Sequence, residues 1–225
     1  MRPLLASFFK LLFPARCLGC DKQPASHRPP FFCAHCRAQV IPFTPSCTQQ
    51  QDLPFATYSL CVYQEPVSSL LVRLKFKGDL SCLSSIAALV REAGVERLPP
   101  EPDLILPVPL HRSRLRWRGF NQAVLLAKTC FPGWKDKIRV DLLLRHKKTV
   151  PQLGLSGAER RSNLAGAFCV RRPQEIRGRR VLLVDDVFTT GATLRECAEA
   201  LRQAGALEIS AFAIARAGEC IRLSA

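Results

Sequence analysis

Residues 181–193 constrain the fold of this chain more than any other part of its sequence. Four consecutive aliphatic residues, 181–184, predict a strand that is buried on both faces, as in a parallel sheet. Two carboxylates follow, Asp185 and Asp186, and then a short loop rich in Thr and Gly. The next apolar residues recur at helical spacing, which predicts a helix: Leu194, Cys197, Ala198 and Leu201.

A strand, a small-residue loop and a helix in this order are how α/β folds build a phosphate site. The N–H groups of the loop and the positive end of the helix dipole converge on an anion. Gly191 allows the backbone to approach a ligand closely, and threonine hydroxyls add hydrogen-bond donors. The residues expected to hold the phosphate are Thr189, Thr190, Gly191, Ala192 and Thr193. The alternative is an ordinary βα turn with a capped helix start.

The two aspartates require their own explanation, because a carboxylate pair repels a phosphate unless it faces another part of the ligand. Carboxylates accept hydrogen bonds from sugar hydroxyls. Asp185 and Asp186 therefore suit a ribose whose 5′-phosphate lies on the Thr/Gly loop. This arrangement resembles the 5-phosphoribosyl-1-pyrophosphate (PRPP) signature of type I phosphoribosyltransferases, in which two acids at a strand end precede a similar loop.

The charge of the chain points to an acidic partner. Its 225 residues carry a formal net charge of +15, which favours nucleic acid, anionic lipid or a polyphosphate ligand. A merely basic, soluble protein is the alternative. Hydrophobic residues make up 48% of the chain and charged residues 23%, an ordinary globular balance that allows a sizeable core.

The first 14 residues are apolar, but Lys10 interrupts them and no clear small-residue cleavage site follows. The segment is too short to span a bilayer. We therefore expect a short amphipathic helix that covers the N-terminal module, with shallow membrane contact as the alternative. Without a signal peptide, the 11 cysteines are expected to be reduced thiols in a cytoplasmic protein.

Two Cys-x-x-Cys pairs, Cys17/Cys20 and Cys33/Cys36, predict a metal site. Each pair can put two thiolates on one ion, so the two pairs together complete a tetrahedral zinc site. Four sulfurs leave no open coordination position, and the role is therefore structural. A structural zinc would supply folding free energy on the order of 10 kcal/mol to a segment with few apolar residues. Two redox Cys-x-x-Cys motifs are the alternative.

An arginine stands at every second position of one further segment: Arg112, Arg114, Arg116 and Arg118. Interleaved with Trp117 and Phe120, these guanidinium groups form a suitable surface for phosphates and stacked bases. The segment is thus a candidate site for single-stranded nucleic acid. A solvated charged face is the alternative.

Strand and helix patterns alternate from Asp103 onward, which predicts an open parallel α/β sheet with its ligand at the carboxyl ends of the strands. Gly78 ends the first of two helices that precede this region. The predicted helices there cover residues 66–77 and about 80–93, and further strands are predicted at 56–63, 103–107, 167–170 and 209–215.

Taken together, the motifs resemble the ComF family of bacterial competence-associated proteins. The resemblance extends from Cys17 to about Ala215, and it implies a type I phosphoribosyltransferase fold with an N-terminal zinc-binding module. We expect the module at residues 1–52 and the transferase-like domain at 53–225. The matching motifs are Pro-Val-Pro-Leu at 107–110, Arg-Gly-Phe-Asn-Gln at 118–122, Gln152-x-x-Leu155 with Arg160-x-x-Asn163, and the Asp-Asp-Val loop.

The resemblance also implies roles for individual residues. It assigns Asp185 and Asp186 to the ribose hydroxyls as catalytic residues, and the Thr/Gly loop to the 5′-phosphate. Residues 149–163 correspond to a mobile loop that covers the site. The loop that meets pyrophosphate comprises Pro107, Val108, Pro109 and Leu110.

Three functions remain open at this point. The first is a DNA-uptake accessory protein that binds PRPP together with single-stranded DNA or a partner such as a helicase. The second is an active phosphoribosyltransferase, in which Mg²⁺ neutralises the pyrophosphate leaving group, although no base-specificity element is recognisable. The third is a regulator that senses PRPP on a transferase fold. The sequence favours the first, with binding at the site preferred over turnover.

Overall fold

The structure, a computed structural model, describes residues 16–22, 25–44, 53–147 and 166–218. The expected helix at the N-terminus and the expected loop at 149–163 lie outside the described residues, and so does the expected domain boundary at residue 52. Within the described ranges, no helix has the length and hydropathy needed to cross a membrane.

The described elements follow each other in a largely alternating order. The helices are α1 (Ala34–Ala38), α2 (Val67–Val72), α3 (Ser81–Ala93), α4 (Arg112–Arg118), α5 (Gln122–Cys130) and α6 (Ala192–Gln203). The strands are β1 (Ala56–Val62), β2 (Leu104–Pro107), β3 (Leu143–Arg145), β4 (Phe168–Val170), β5 (Arg180–Phe188) and β6 (Glu208–Arg216). A π-helical turn, Arg73–Lys77, continues α2, and short 3₁₀ segments lie at Val95–Arg97, Pro132–Lys137 and Pro173–Glu175.

Four strands form an open sheet in the order β1-β6-β5-β2, and every neighbouring pair is parallel. The central strand β5 carries residues 181–184, each of which is at most 1% exposed. Its side chains alternate between the two faces of the sheet. Leu182 and Val184 pack into the hydrophobic cluster of α2, α3 and α5, whereas Val181 and Leu183 pack into the cluster of α6. The predicted parallel sheet, buried on both faces, is therefore confirmed.

Two features of the strands differ from the sequence prediction. Strand β5 does not end before the acidic pair, because β6 runs beside it as far as the pairing of Phe188 with Arg216 and satisfies the intervening backbone groups. The strand predicted at 167–170 forms as β4, but it pairs antiparallel with β3 outside the main sheet. The parallel arrangement expected from Asp103 onward does not include this pair.

The described part of the N-terminal segment packs on the face of the sheet that carries α2 and α3. Cys17, Leu18 and Phe32 belong to the same buried cluster as residues of α2 and α3. The N–H of Phe31 donates to Ser85 Oγ on α3 at 3.0 Å. A Cβ atom on Gly19 would lie 2.5 Å from Cβ of Pro66 at the start of α2, so the first cysteine knuckle lies directly against that helix.

Candidate functional site

A cavity of about 240 Å³ lies at the carboxyl ends of β2 and β5. Strand β2 ends at Pro107, opposite Val184, so among the described residues no strand lies beside the part of β5 that continues past this point on that edge. The cavity thus forms where open α/β sheets bind their ligands. Its lining comprises Lys75, Phe76, Val108–Leu110, Arg114, Arg118, Gln122, Arg145 and Asp185–Leu194.

The two carboxylates stand on successive residues of β5 and therefore point to opposite faces of the sheet. Both nevertheless line the cavity, because it opens across the edge that β2 leaves uncovered. The Oδ1 atom of Asp185 accepts the N–H of Asp186 at 2.9 Å, and Oδ1 of Asp186 accepts the N–H of Val187 at 2.7 Å. These bonds orient the pair and leave further carboxylate lone pairs for a ligand.

A lysine that the sequence did not single out contacts the acidic pair. Nζ of Lys75 lies 2.8 Å from Oδ2 of Asp186, whose side chain is only 6% exposed. Burial disfavours the charge of Lys75, but the Asp186 carboxylate, with Asp185 behind it, outweighs burial and raises the pKa of Lys75. The site therefore contains a fixed cation.

The pKa of Asp185, the other carboxylate of the pair, is strongly perturbed. Burial, and after it the negative charge of Asp186, raises the pKa of Asp185 above its ordinary value, while Lys75 opposes this shift. Perturbed acids of this kind cluster at functional sites. Asp185 consequently holds a proton more readily than an ordinary aspartate does, and a hydroxyl donor or a cation would favour its ionised form.

The Thr/Gly loop is shorter than the sequence indicates, because α6 begins at Ala192 and places Ala192 and Thr193 in its first turn. Gly191 has φ +68°, and a Cβ atom there would lie 2.6 Å from Cε2 of Phe188. Both facts require glycine at this position. The first N–H groups of a 12-residue helix thus border the cavity beside the acidic pair.

The arginine segment forms helix α4, which separates the alternating arginines onto different sides. Arg114 and Arg118, four residues apart, line the cavity, whereas Arg112 and Arg116 are exposed. The side chain of Arg118 donates to Oε1 of Gln122. The four guanidinium groups therefore do not form one row, and two of them belong to the cavity.

The Pro-Val-Pro-Leu segment borders the cavity through Val108, Pro109 and Leu110. Pro107 is buried within β2 and does not line it. The side chain of Asn121 donates from Nδ2 to the carbonyl oxygen of Val108 at 3.0 Å. Its Oδ1 atom accepts the N–H of Ala123 and caps α5, so this asparagine joins the loop to the helix behind it.

Lys75 and Arg145 are the charged lining residues that sequence reasoning missed. Arg145 is 8% exposed, and its guanidinium lies 5.4 Å from the ring centroid of Phe168. Burial, and then the nearby Arg114, lowers the pKa of Arg145. The available signal was the position of this arginine directly after three leucines in an apolar run.

The four cysteines of the N-terminal segment converge as predicted. Their Sγ atoms all lie within 4.8 Å of one another, and those of Cys20 and Cys33 are 4.0 Å apart. A tetrahedral zinc with bonds of ~2.3 Å separates its sulfurs by roughly 3.8 Å, so the cluster fits this ion. The N–H of Cys33 donates to Sγ of Cys17 at 3.2 Å. The cluster could hold a metal.

Comparison with known proteins agrees with this architecture. The model of the phosphoribosyl transferase domain matches residues 138–224. Competence protein F of Haemophilus influenzae is 36% identical over 210 residues, which cover 89% of this chain and 90% of that protein. The DNA utilization protein YhgH of Escherichia coli strain K12 is 32% identical over 162 residues, 68% of this chain and 69% of that protein.

Two more distant similarities accompany these. Competence protein ComFC of Bacillus subtilis is 30% identical over 163 residues, which cover 70% of this chain and 63% of that protein. The purine phosphoribosyltransferase of Pyrococcus horikoshii has a TM-score of 0.33 at 18% identity, over 71% of this chain and 87% of that one.

The open parallel sheet, the matched domain and the cysteine cluster define a protein of the phosphoribosyltransferase-like fold with an N-terminal four-cysteine module. The extent and identity of the match to competence protein F further show that the chain belongs to the ComF family.

Proposed function

We propose that this protein is a cytoplasmic DNA-uptake accessory protein that binds a phosphoribosyl ligand, PRPP or a close relative, together with single-stranded DNA. The observation that carries the proposal is the convergence of two carboxylates, a Thr/Gly loop at a helix N-terminus and several cationic side chains in one cavity. The relatives are named for competence and DNA utilization, which supports the DNA-uptake part of the proposal.

In this proposal each wall of the cavity meets one part of PRPP. Asp185 and Asp186 accept the ribose hydroxyls, and the N–H groups and hydroxyls of residues 189–193 bind the 5′-phosphate. The segment Val108–Leu110 faces the pyrophosphate, with Arg114 and Arg118 beside it. Carboxylate oxygens also suit Mg²⁺, which would accompany PRPP and neutralise its pyrophosphate.

Turnover of PRPP is a second candidate, since an acid with a perturbed pKa and a partly buried cation lie together in the cavity. A transferase would release pyrophosphate when a suitable base is present. Incubation of the purified protein with PRPP, Mg²⁺ and a panel of bases, with detection of pyrophosphate, distinguishes the two. Release that disappears in an Asp185→Asn variant establishes catalysis, whereas binding without release leaves the accessory role.

The DNA part of the proposal predicts a measurable electrostatic contribution from the exposed side of α4. Replacing both Arg112 and Arg116 by Gln should weaken binding of a single-stranded oligonucleotide about tenfold near 0.1 M salt. The slope of log K against log salt should fall by about 1.4, or ~0.7 for each lost phosphate contact. Filter-binding titrations over a salt series measure both quantities.

The matched control for this pair is Arg179→Gln, an exposed arginine next to the opposite end of β5. This variant should leave the affinity and the slope unchanged. Oligonucleotide binding by the wild-type protein that does not depend on salt would contradict a DNA-binding surface on α4. An equal loss of affinity in the control variant would contradict it as well. The partner proposed in place of single-stranded DNA would then be a DNA-processing protein such as a helicase.

A further inference from the structure

The mouth of the cavity carries an aromatic surface that the sugar-phosphate assignment does not use. Phe76 lines the cavity and is 55% exposed, and Trp117 on α4 is 71% exposed. Their ring centroids lie 6.4 Å apart in an edge-to-face arrangement. Trp117, which the sequence interleaves with the arginines, is thus paired with Phe76 from a distant part of the chain.

We infer that Phe76 and Trp117 form a stacking site for a nucleobase, so that the cavity and its mouth together bind a nucleotide. This inference rests on the proposed function, because the sugar phosphate of the same nucleotide would occupy the cavity. Base–aromatic stacking tolerates every base, since each has a π face. The chemistry required is thus a base joined to a sugar phosphate.

The backbone explains why these rings stand where they do. Phe76 follows Lys75 in the π-helical turn Arg73–Lys77. Lys75 reaches inward to Asp186, which fixes the orientation of the turn and places the next residue at the cavity mouth. Single π-helical turns in longer helices occur frequently at functional sites. Gly78, with φ +63°, ends the turn directly afterwards.

A cation accompanies the aromatic pair. The guanidinium of Arg118 lies 5.4 Å from the ring centroid of Phe76, and the same side chain lines the cavity. Burial lowers the pKa of Arg118, and the Asp186 carboxylate opposes this effect. Arg118 therefore joins the aromatic surface to the anion-binding interior. More than half of Phe76 still remains accessible beside both neighbours, which leaves room for a stacked base.

Two ligands share this chemistry, a free nucleoside monophosphate and a nucleotide within single-stranded DNA. Calorimetric titration of the full-length protein with AMP and with ribose 5-phosphate tests the common part. One stacked base should make AMP bind about tenfold more tightly than ribose 5-phosphate. In Phe76→Ala, the ratio of the two affinities should fall towards one, and Trp117→Ala should lower it less. The matched control Phe76→Tyr keeps an aromatic ring and should keep the ratio.

The outcomes separate this inference from the proposed function. Equal affinities for AMP and ribose 5-phosphate in wild-type protein would overturn the stacking site while the sugar-phosphate site stands. If neither ligand nor PRPP binds, the proposed function itself fails. A 5′-phosphorylated oligothymidylate that displaces AMP, and whose binding Phe76→Ala weakens, identifies DNA as the source of the base. If AMP binds with the expected ratio and no oligonucleotide displaces it, the ligand is a free nucleotide.

Discussion

Replacing Cys33 by Ser is expected to lower the melting temperature of the protein by roughly 10 °C. Loss of one thiolate opens a tetrahedral site whose metal contributes on the order of 10 kcal/mol in small zinc modules. If about 4 kcal/mol of this is lost from the free energy of unfolding of the whole chain, a chain of this size melts about 10 °C lower. Differential scanning fluorimetry, with and without a chelator, measures the change.

The effect should extend beyond the module because the cysteine segment is part of the main core. Cys17, Cys33 and Cys36 are buried in the cluster that contains Leu70 and Ile86. Burial, followed by the neighbouring thiols, raises the pKa of Cys36, so this side chain favours the neutral thiol unless a cation stabilises its thiolate.

The matched control is Cys169→Ser, which changes an exposed thiol on β4 outside the cluster. Its melting temperature should stay within about 1 °C of the wild type, as for most surface substitutions. One zinc per chain by elemental analysis is expected, together with destabilisation by the chelator. Protein without bound metal, whose cysteine pairs form and break disulfides reversibly, would support the redox alternative and contradict a structural site.

The second large effect is expected at the ion pair between Lys75 and Asp186. Replacing Lys75 by Met removes the cation from a carboxylate whose side chain is only 6% exposed. Breaking a buried pair in this way costs about 3–5 kcal/mol, since one charge remains without its partner. The free energy of unfolding, measured by urea denaturation, should fall by about 3 kcal/mol.

A double variant separates the lost pair from lost packing. Lys75→Met combined with Asp186→Asn removes both charges and should recover about 2 kcal/mol or more of the loss. The ion pair of Arg37 and Glu92, in which both side chains are about 40% exposed, is the matched comparison. Glu92→Gln should cost less than about 1 kcal/mol. Equal costs at the two pairs, or additive losses in the double variant, would contradict the importance of the buried pair.

The parts of the site that lie together in the sequence could be predicted from it. The acidic pair, the Thr/Gly loop and the helix after it occupy residues 185–203, and the structure assembles them in that order. The spacing of the two cysteine pairs likewise predicts that their four sulfurs converge. In each case the chemistry depends on neighbours in the chain, which periodicity and spacing describe well.

The parts that come from distant elements could not be predicted. Lys75 precedes the acidic pair by the length of several elements, and only the placement of α2 against the sheet brings it to Asp186. Arg145 enters the cavity because β3 and β4 form a separate antiparallel pair. The arginine segment alternates with period two in the sequence, but its helical backbone distributes the side chains around an axis.

Calorimetric titration of PRPP with Mg²⁺ into the wild-type protein and into Asp185→Asn/Asp186→Asn tests the central claim most directly. Two lost charge-assisted hydrogen bonds should weaken PRPP binding about 100-fold. Inorganic pyrophosphate without Mg²⁺, which has no sugar hydroxyls, should bind the variant at least as tightly as the wild type, because the variant carries less negative charge. Equal PRPP affinity in the two proteins would contradict the assignment of the acidic pair to the sugar.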